Sequence, residues 1–469
     1  MKTVRTRFAP SPTGALHMGN VRAALFNYLF AKHTQGTFVL RIEDTDKERS
    51  KPEWEQDITD NLKWLGLAWD EFYRQSERTE IYAKYLTQLL EQGKAYYCFC
   101  KAEDLEAQRQ DQLSRGVAPR YAGTCRQLTE AGGKEKKSAV IRFVVEKKIV
   151  EFKDLVRSQV KFDAGLLGDI VIAKDLVTPL YNFSVVVDDF EMNITHVIRG
   201  EDHLSNTPKQ TLLQEALGFP MPAYAHLPLV LGGDRTKLSK RHGDDSVAQF
   251  KTQGYLPEAI VNFLVLLGWN PGDNRELFTL EELVKEFSLE KVHKGGAVFN
   301  PKRLDWINGS YIRKKSLSEL AELCKPYLKL AGFNPEPAEK LEKVVSLYQE
   351  RLKKLSEIVE LADFFFKDTL SYPKDILRWK KYSEEDAKNA LEQCKKIAES
   401  VKENEWTKEK LEQVFLAEAE KVGDRGYLLW PLRVALSGKE ASAGPFEIAS
   451  VLGKEKTVER IQVALQLLS

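Results

Sequence analysis

Arg7-Phe8-Ala9-Pro10-Ser11-Pro12-Thr13-Gly14-Ala15-Leu16-His17-Met18-Gly19-Asn20 carries the chain from one pattern of apolar spacing into another. Before and into it, residues 3–9 alternate as a β-strand requires, and beyond it Val21, Ala24, Leu25, Tyr28 and Leu29 share one helical face. Two prolines and a glycine make Pro10–Gly14 a turn. The pattern then repeats. Phe38-Val39-Leu40-Arg41-Ile42 reads as a second strand, stopped by Glu43-Asp44-Thr45-Asp46, and Pro52–Leu65 reads as a second helix. This succession predicts a right-handed parallel α/β unit, whose ligands sit beyond the carboxyl ends of the strands. Both the Pro10–Gly19 turn and the Glu43-Asp44 pair fall at such ends.

Outward from this unit the pattern changes twice. Residues 80–180 carry three cysteines, a polar helix (Glu103–Arg115) and alternating stretches such as Val140–Val145, which predict an inserted α+β module. Parallel-strand patterning returns at Val185-Val186-Val187-Asp188-Asp189, Ile194–Ile198 and Ala225–Leu231. After Arg241 the spacing is almost wholly helical, at Pro257–Leu267, Leu280–Phe287, Leu317–Leu330, Pro337–Phe366, Glu384–Val401 and Thr407–Ala419. A chain of 469 residues needs two to four cores. Composition is that of an ordinary globular protein, at 43% hydrophobic and 30% charged. No apolar run reaches membrane-spanning length and no secretory leader is recognisable, so a cytoplasmic protein is expected. Five cysteines in so long a chain argue against a disulfide scaffold.

A net charge of +1 weakens the prior for a nucleic-acid binder without removing it. Any polyanion has to be met by local runs, and the candidates are Lys134–Lys137, Lys147-Lys148, Arg313–Lys315 and Arg378-Trp379-Lys380-Lys381. Short basic runs are more often solvated surface.

Two motifs carry chemistry. Gly19 lets a phosphate approach the backbone, and the helix behind it presents unpaired N–H groups to an anion. His17 stands beside that position as a donor. In Lys237-Leu238-Ser239-Lys240-Arg241, after Gly232-Gly233, three cations within five residues can neutralise a leaving pyrophosphate. Each motif alone is weak: a surface histidine on a turn, a solvated loop. One in each half of a split nucleotide domain points to nucleotidyl transfer. Cys98-Phe99-Cys100 with Cys125 could ligate zinc through three thiolates, or be three reduced thiols with no metal. All seven histidines lie outside residues 80–180, so no local histidine completes that set. Cys324 and Cys394 fall on apolar helix faces and are expected in the core.

Taken in order, Arg7–Asn20, Arg41-Ile42-Glu43-Asp44-Thr45-Asp46, Tyr181-Asn182, Val197-Ile198-Arg199-Gly200-Glu201-Asp202, Lys237–Arg241, Trp306-Ile307-Asn308-Gly309 and Pro431-Leu432-Arg433 resemble the motifs of the bacterial glutamyl-tRNA synthetases, class I aminoacyl-tRNA synthetases. The first is similar to that family's "HIGH" motif, with Asn20 where its second histidine would stand. The resemblance implies a split Rossmann-type catalytic domain (1–80 and 181–241), an inserted acceptor-binding module (81–180), a helical stem-contact region (242–310) and a helical anticodon-binding region (311–469).

It also implies roles. Glu43 takes the ammonium of glutamate, Arg7 and Arg199 take carboxylate, and Ser11, Tyr181 and Asn182 complete the hydrogen bonds. His17, Gly19, Asn20, Lys237, Ser239 and Lys240 hold ATP, with His17, Lys237 and Lys240 serving the transfer step. Mg²⁺ accompanies ATP. Zinc, where family members bind it, takes three cysteines and a histidine or tyrosine. Here Gln127 stands near the histidine position, which leaves Tyr121 with Cys98, Cys100 and Cys125. Arg351 and Arg433 are the candidates for touching tRNA.

The implied reaction is ATP-dependent glutamylation of tRNA(Glu) by a monomer, requiring bound tRNA before glutamate is activated. A charge-reading pocket rejects glutamine without an editing site. The alternatives are a non-discriminating enzyme that also charges tRNA(Gln), a tRNA-free nucleotidylyltransferase and a non-catalytic RNA-binding paralogue. More than 200 helical residues argue against the second, and intact His17 and Lys237 against the third.

Overall fold

The computed structural model describes residues 3–127, 139–238 and 246–469. It divides into two compact units, one of residues 1–251 with 257–307 and one of 252–256 with 308–469.

In the first unit β1 (Arg5–Phe8), α1 (Met18–His33), β2 (Thr37–Ile42), α2 (Pro52–Trp64) and β3 (Glu71–Arg74) form a parallel sheet in the order β1-β2-β3. The helix begins where the turn ends because His17 caps it, and Lys32 and His33 suit its negative C-terminal end. α3 (Thr79–Glu91), β4 (Ala95–Cys98), α4 (Ala102–Ser114) and β5 (Val140–Phe143) follow. Next come β6 (Ile149–Asp154), β7 (Ser158–Asp163), β8 (Ile170–Asp175), β9 (Thr178–Pro179), α5 (Tyr181–Glu191), β10 (His196–Gly200), α6 (Thr207–Leu217) and β11 (Ala223–Leu227). The Thr195 N–H donates to the Arg5 carbonyl (2.9 Å), which brings β10 beside β1.

The fold class is the expected one, a Rossmann-like α/β region with an α+β insertion followed by helices. The sheets show how the insertion is joined to the rest. β4, β5, β8 and β9 form a sheet of their own, whereas the β6–β7 hairpin joins β10 and β11 in a second sheet of order β10-β11-β6-β7. Tyr224 and Asp154 are the paired residues, and Leu155 N–H donates to Tyr224 O (2.8 Å). Val39, Phe152, Met192, Ile194, Val197 and Tyr224 close one core across this junction.

Three expectations are corrected. Val185–Asp189 is not a strand but the middle of α5, buried from Phe183 through Asp189. A short apolar run reads alike for a buried strand and a helix buried on all sides, and Val185, Val186 and Val187 all pack into one core with Phe183 and Leu213. Ala225–Leu231 is two strands, β11 and Val230–Leu231, divided at Pro228, which has no N–H for a ladder. Pro337–Phe366 is interrupted as well, into helices Ala338–Ser346 and Glu357–Ala362 and a 3₁₀ turn at Asp363–Phe366.

The second unit is helical, with Leu317–Leu330, Glu384–Ser400, Lys408–Val422, Arg425–Ser437 and Lys454–Leu467 as its longer helices. Cys324 and Cys394 are fully buried in it. No described helix is long and apolar enough to cross a membrane.

Candidate active site

The Pro10–Gly19 turn is tied down from three sides. Glu43 N–H donates to Pro10 O (2.9 Å), Lys51 N–H to Pro12 O (3.0 Å), and Leu16 N–H to the Asp57 carboxylate (2.7 Å). His17 Nδ1 accepts weakly from Asn20 N–H (3.4 Å). A Cβ on Gly19 would stand 3.2 Å from that nitrogen, a tight contact that would press on the ring. The first turn of α1 has no acidic residue to compete with an anion there.

At the ends of β1, β2 and β10 lies a network of buried charges. Arg41, wholly buried, bonds Asp189 (2.8 Å) and Glu43 (3.0 Å). Arg7 bonds Asp189 through Nε (3.1 Å), and among the described residues nothing else bonds its guanidinium. Arg7 and Glu43 thus each have a structural partner of opposite charge, Asp189 and Arg41. Burial raises the Glu43 carboxyl above the usual range, against the pull of Arg41 and Arg7. An ammonium ion placed beside it would favour its charged form.

Arg199 differs from both. It is 6% exposed, yet every partner it has among the described residues is neutral. Its NH2 donates to Thr207 Oγ1 and Gln210 Oε1 (both 2.8 Å), its Nε to His226 Nε2 (3.3 Å), and its NH1 reaches Tyr181 Oη at 3.5 Å. A buried cation with no acid beside it is costly unless an anion arrives. Tyr181 Oη also lies 2.9 Å from His203 Nδ1, and Gln210 Nε2 donates to Asn182 Oδ1 (3.1 Å). Burial, with Arg199 nearby, pushes His203 down to about 4, so it is neutral at pH 7. Burial raises the Tyr181 hydroxyl above its ordinary range; Glu43 and Asp189 act the same way, while Arg199 and Arg7 pull it down. Ser11 is exposed, and no hydrogen bond joins its hydroxyl to this group among the described residues.

Lys237 is 57% exposed and bonds Asp202 (2.8 Å), just beyond β10. Ser239, Lys240 and Arg241 lie outside the described residues, as does the Lys134–Lys137 run. In the insertion, the sulfurs of Cys98, Cys100 and Cys125 all lie within 4.8 Å of one another. Tyr121 Oη is 3.4 Å from both Cys98 Sγ and Cys100 Sγ and accepts from Cys125 N–H (2.9 Å). In the helical unit Arg351 reaches Ser442 O (3.3 Å), and the Arg433 Nε is buried without a hydrogen-bond partner among the described residues. Among the other basic runs, Arg378 pairs with Asp375, Lys315 with Glu319 and Lys148 with Glu215.

Asp189, Arg41, His203, His226, Thr207 and Gln210 were not assigned to the site from the sequence. One signal was present: Asp188-Asp189 directly after three valines marks acids that a core would have to pair.

A family model described as "tRNA synthetases class I (E and Q), catalytic domain" matches residues 3–306, and one described as "Anticodon binding domain" matches 319–465. The glutamate–tRNA ligase of Aquifex aeolicus (strain VF5) is 48% identical, with 100% of both chains covered. That of Carboxydothermus hydrogenoformans is 45% identical, covering 98% of this chain and 99% of the relative. A crystal structure of a glutamate tRNA ligase from Elizabethkingia meningosepticum, in complex with its amino acid, superposes with a TM-score of 0.89 at 35% identity and 100% coverage of both chains. Catalytic and anticodon-binding models in sequence, with full-length relatives beside them, place the chain in the class I tRNA synthetases of the E and Q group, to which it belongs with the glutamate–tRNA ligases.

Proposed function

We propose that the chain ligates L-glutamate to tRNA(Glu) at the expense of ATP. The observation that carries this reading is Arg199, a buried cation whose partners among the described residues are all neutral and which reaches Tyr181 at 3.5 Å. The side-chain carboxylate of glutamate supplies the missing charge; the neutral side-chain amide of glutamine does not, and leaves the arginine uncompensated. Arg7 takes the other carboxylate, Glu43 takes the ammonium, and Ser11, Tyr181 and Asn182 hold the remaining polar atoms.

The α-carboxylate oxygen attacks the α-phosphorus of Mg-ATP, and the bond to the β-phosphate bridging oxygen breaks. Glutamyl-adenylate and pyrophosphate result. His17, Gly19 and Asn20, at the mouth of α1, receive phosphates, while Lys237, Ser239 and Lys240 answer the charge on the departing pyrophosphate. A terminal ribose hydroxyl of tRNA then attacks the acyl carbon and AMP leaves. No protein nucleophile is needed, because positioning and electrostatics supply the rate.

Residues 1–80 and 181–241 form the catalytic domain in this reading, 81–180 the acceptor-binding module, 242–310 the stem contact and 311–469 the anticodon-binding region, with Arg351 and Arg433 on its RNA side. Cys98, Cys100, Cys125 and Tyr121 offer four converging donors suited to a structural Zn²⁺. One zinc per chain in metal analysis, lost on Cys125→Ser, supports that site; a metal-free native chain refutes it. The enzyme acts as a cytoplasmic monomer.

The deciding experiment is aminoacylation with purified tRNA(Glu) and tRNA(Gln), together with glutamate-dependent pyrophosphate exchange with and without tRNA. Charging of tRNA(Glu) alone makes the enzyme discriminating; charging of both, non-discriminating. Exchange is expected only with tRNA present. Exchange at full rate with no charging of either tRNA would replace this reading with a free nucleotidylyltransferase.

A further inference from the structure

Asp154 closes β6 in the insertion, far in sequence from any motif, and is buried. Its Oδ1 accepts from Val156 N–H (2.9 Å) and Arg157 N–H (2.7 Å). Its Oδ2 accepts from the backbone N–H of His226 (3.1 Å) and from the ring at Nδ1 (2.6 Å). A carboxylate engaged in this way can only accept, so the ring proton sits on Nδ1 and Nε2 is left bare. That bare nitrogen lies 3.3 Å from Arg199 Nε and 3.0 Å from Thr207 Oγ1, which itself accepts from Arg199 NH2 (2.8 Å). His226 has no exposed surface, and burial holds it below its ordinary pKa although Asp154 pulls the other way. The ring is therefore a neutral acceptor at pH 7.

We propose that Asp154 and His226 are positioning residues for Arg199. The carboxylate fixes the ring's tautomer, the ring and Thr207 occupy the Nε–NH2 edge of the guanidinium, and the NH1 edge is thereby turned toward Tyr181 and the amino-acid site. The relay solves an electrostatic problem. An acid bonded directly to Arg199 would orient it equally well but would neutralise the charge that attracts the substrate. An imidazole between them keeps the orientation and sets the acid one ring away. The acid belongs to a strand of the insertion, so the amino-acid site is complete only when the β6–β7 hairpin is docked on β11. This inference rests on Arg199 receiving a glutamate carboxylate, and its test separates the two.

In the full-length chain with tRNA present, glutamate and ATP dependence of pyrophosphate exchange are measured for Asp154→Asn, His226→Asn, His226→Gln and Arg199→Lys. Asparagine at 154 offers an amide where an acceptor is needed and drives the ring proton to Nε2. Losing one hydrogen bond to a charged group predicts a glutamate KM raised roughly 10- to 100-fold, with ATP KM within about twofold. His226→Asn keeps a group at Nδ1 but none at Nε2 and falls the same way. His226→Gln places an amide oxygen where Nε2 stood and retains most of the affinity. Nitrogen-15 spectra of the histidines show the Nδ1–H form in the native chain and the Nε2–H form in Asp154→Asn. The proposal is overturned if His226→Asn and His226→Gln behave alike, if ATP KM rises in parallel with that for glutamate, or if the native ring is protonated on Nε2. Should Asp154→Asn fail to fold, the two His226 variants and the native spectrum still decide. If Arg199→Lys leaves glutamate KM unchanged, the carboxylate reading itself fails; if only Arg199→Lys has an effect, the relay fails and the reading stands.

Discussion

Arg199 and Lys237 are both cations offered to substrate oxygens, and the protein treats them in opposite ways. Arg199 is buried and oriented by Thr207, Gln210 and His226, all neutral. Lys237 stands mostly in solvent on the stretch after Val230–Leu231, and its partner is an acid, Asp202. The first arrangement holds one geometry with its charge unspent. The second parks its charge on a carboxylate until something more anionic competes for it. Selecting an amino acid requires a shape fixed before binding, whereas following a pyrophosphate out of the site requires a side chain that can travel.

Substitutions can break this contrast. Arg199→Leu should have the largest effect. It removes the charge from a site built around it, at a cost of about 3–5 kcal/mol, so kcat/KM for glutamate should fall by roughly 10²–10³ or more in steady-state aminoacylation. A loss under about tenfold would mean that the arginine is mainly structural. Lys237→Ala should come next. If it acts on the leaving group, kcat falls by roughly 10² while ATP KM changes little. A rise in ATP KM with kcat preserved would make Lys237 a ground-state clamp and bring it closer in kind to Arg199. Asp202→Asn, its smallest companion, releases a pair largely in solvent, worth about 0–1 kcal/mol. It should alter exchange kinetics less than about fivefold, more at low salt than at high.

The sequence was most legible where local pattern and local chemistry coincide. Alternation into Phe8, two prolines and a helical stripe from Val21 announce strand, turn and helix, because each obeys a rule that acts within a few residues. Arg7, Glu43 and Arg199 were reachable as chemistry at strand ends, and their roles came through the motif resemblance. What stayed hidden was long-range. Asp189 meets Arg7 across 182 residues and Asp154 meets His226 across 72, and no periodicity encodes such pairings. The misreading of Val185–Val187 has the same origin. β-branched residues favour strands, but packing on every side of α5 outweighs that preference.

The hairpin that joins β11 also bears on how this enzyme can be taken apart. By its sequence boundaries the insertion looks like a cassette that could be exchanged between relatives as a block. Yet one stretch of it, Ile149–Asp163, extends the sheet of β10 and β11 and grips a histidine of the host domain. The cut lines for a chimera therefore do not follow the ends of the insertion: residues 149–163 travel with the host, and only the segments on either side of them are cargo.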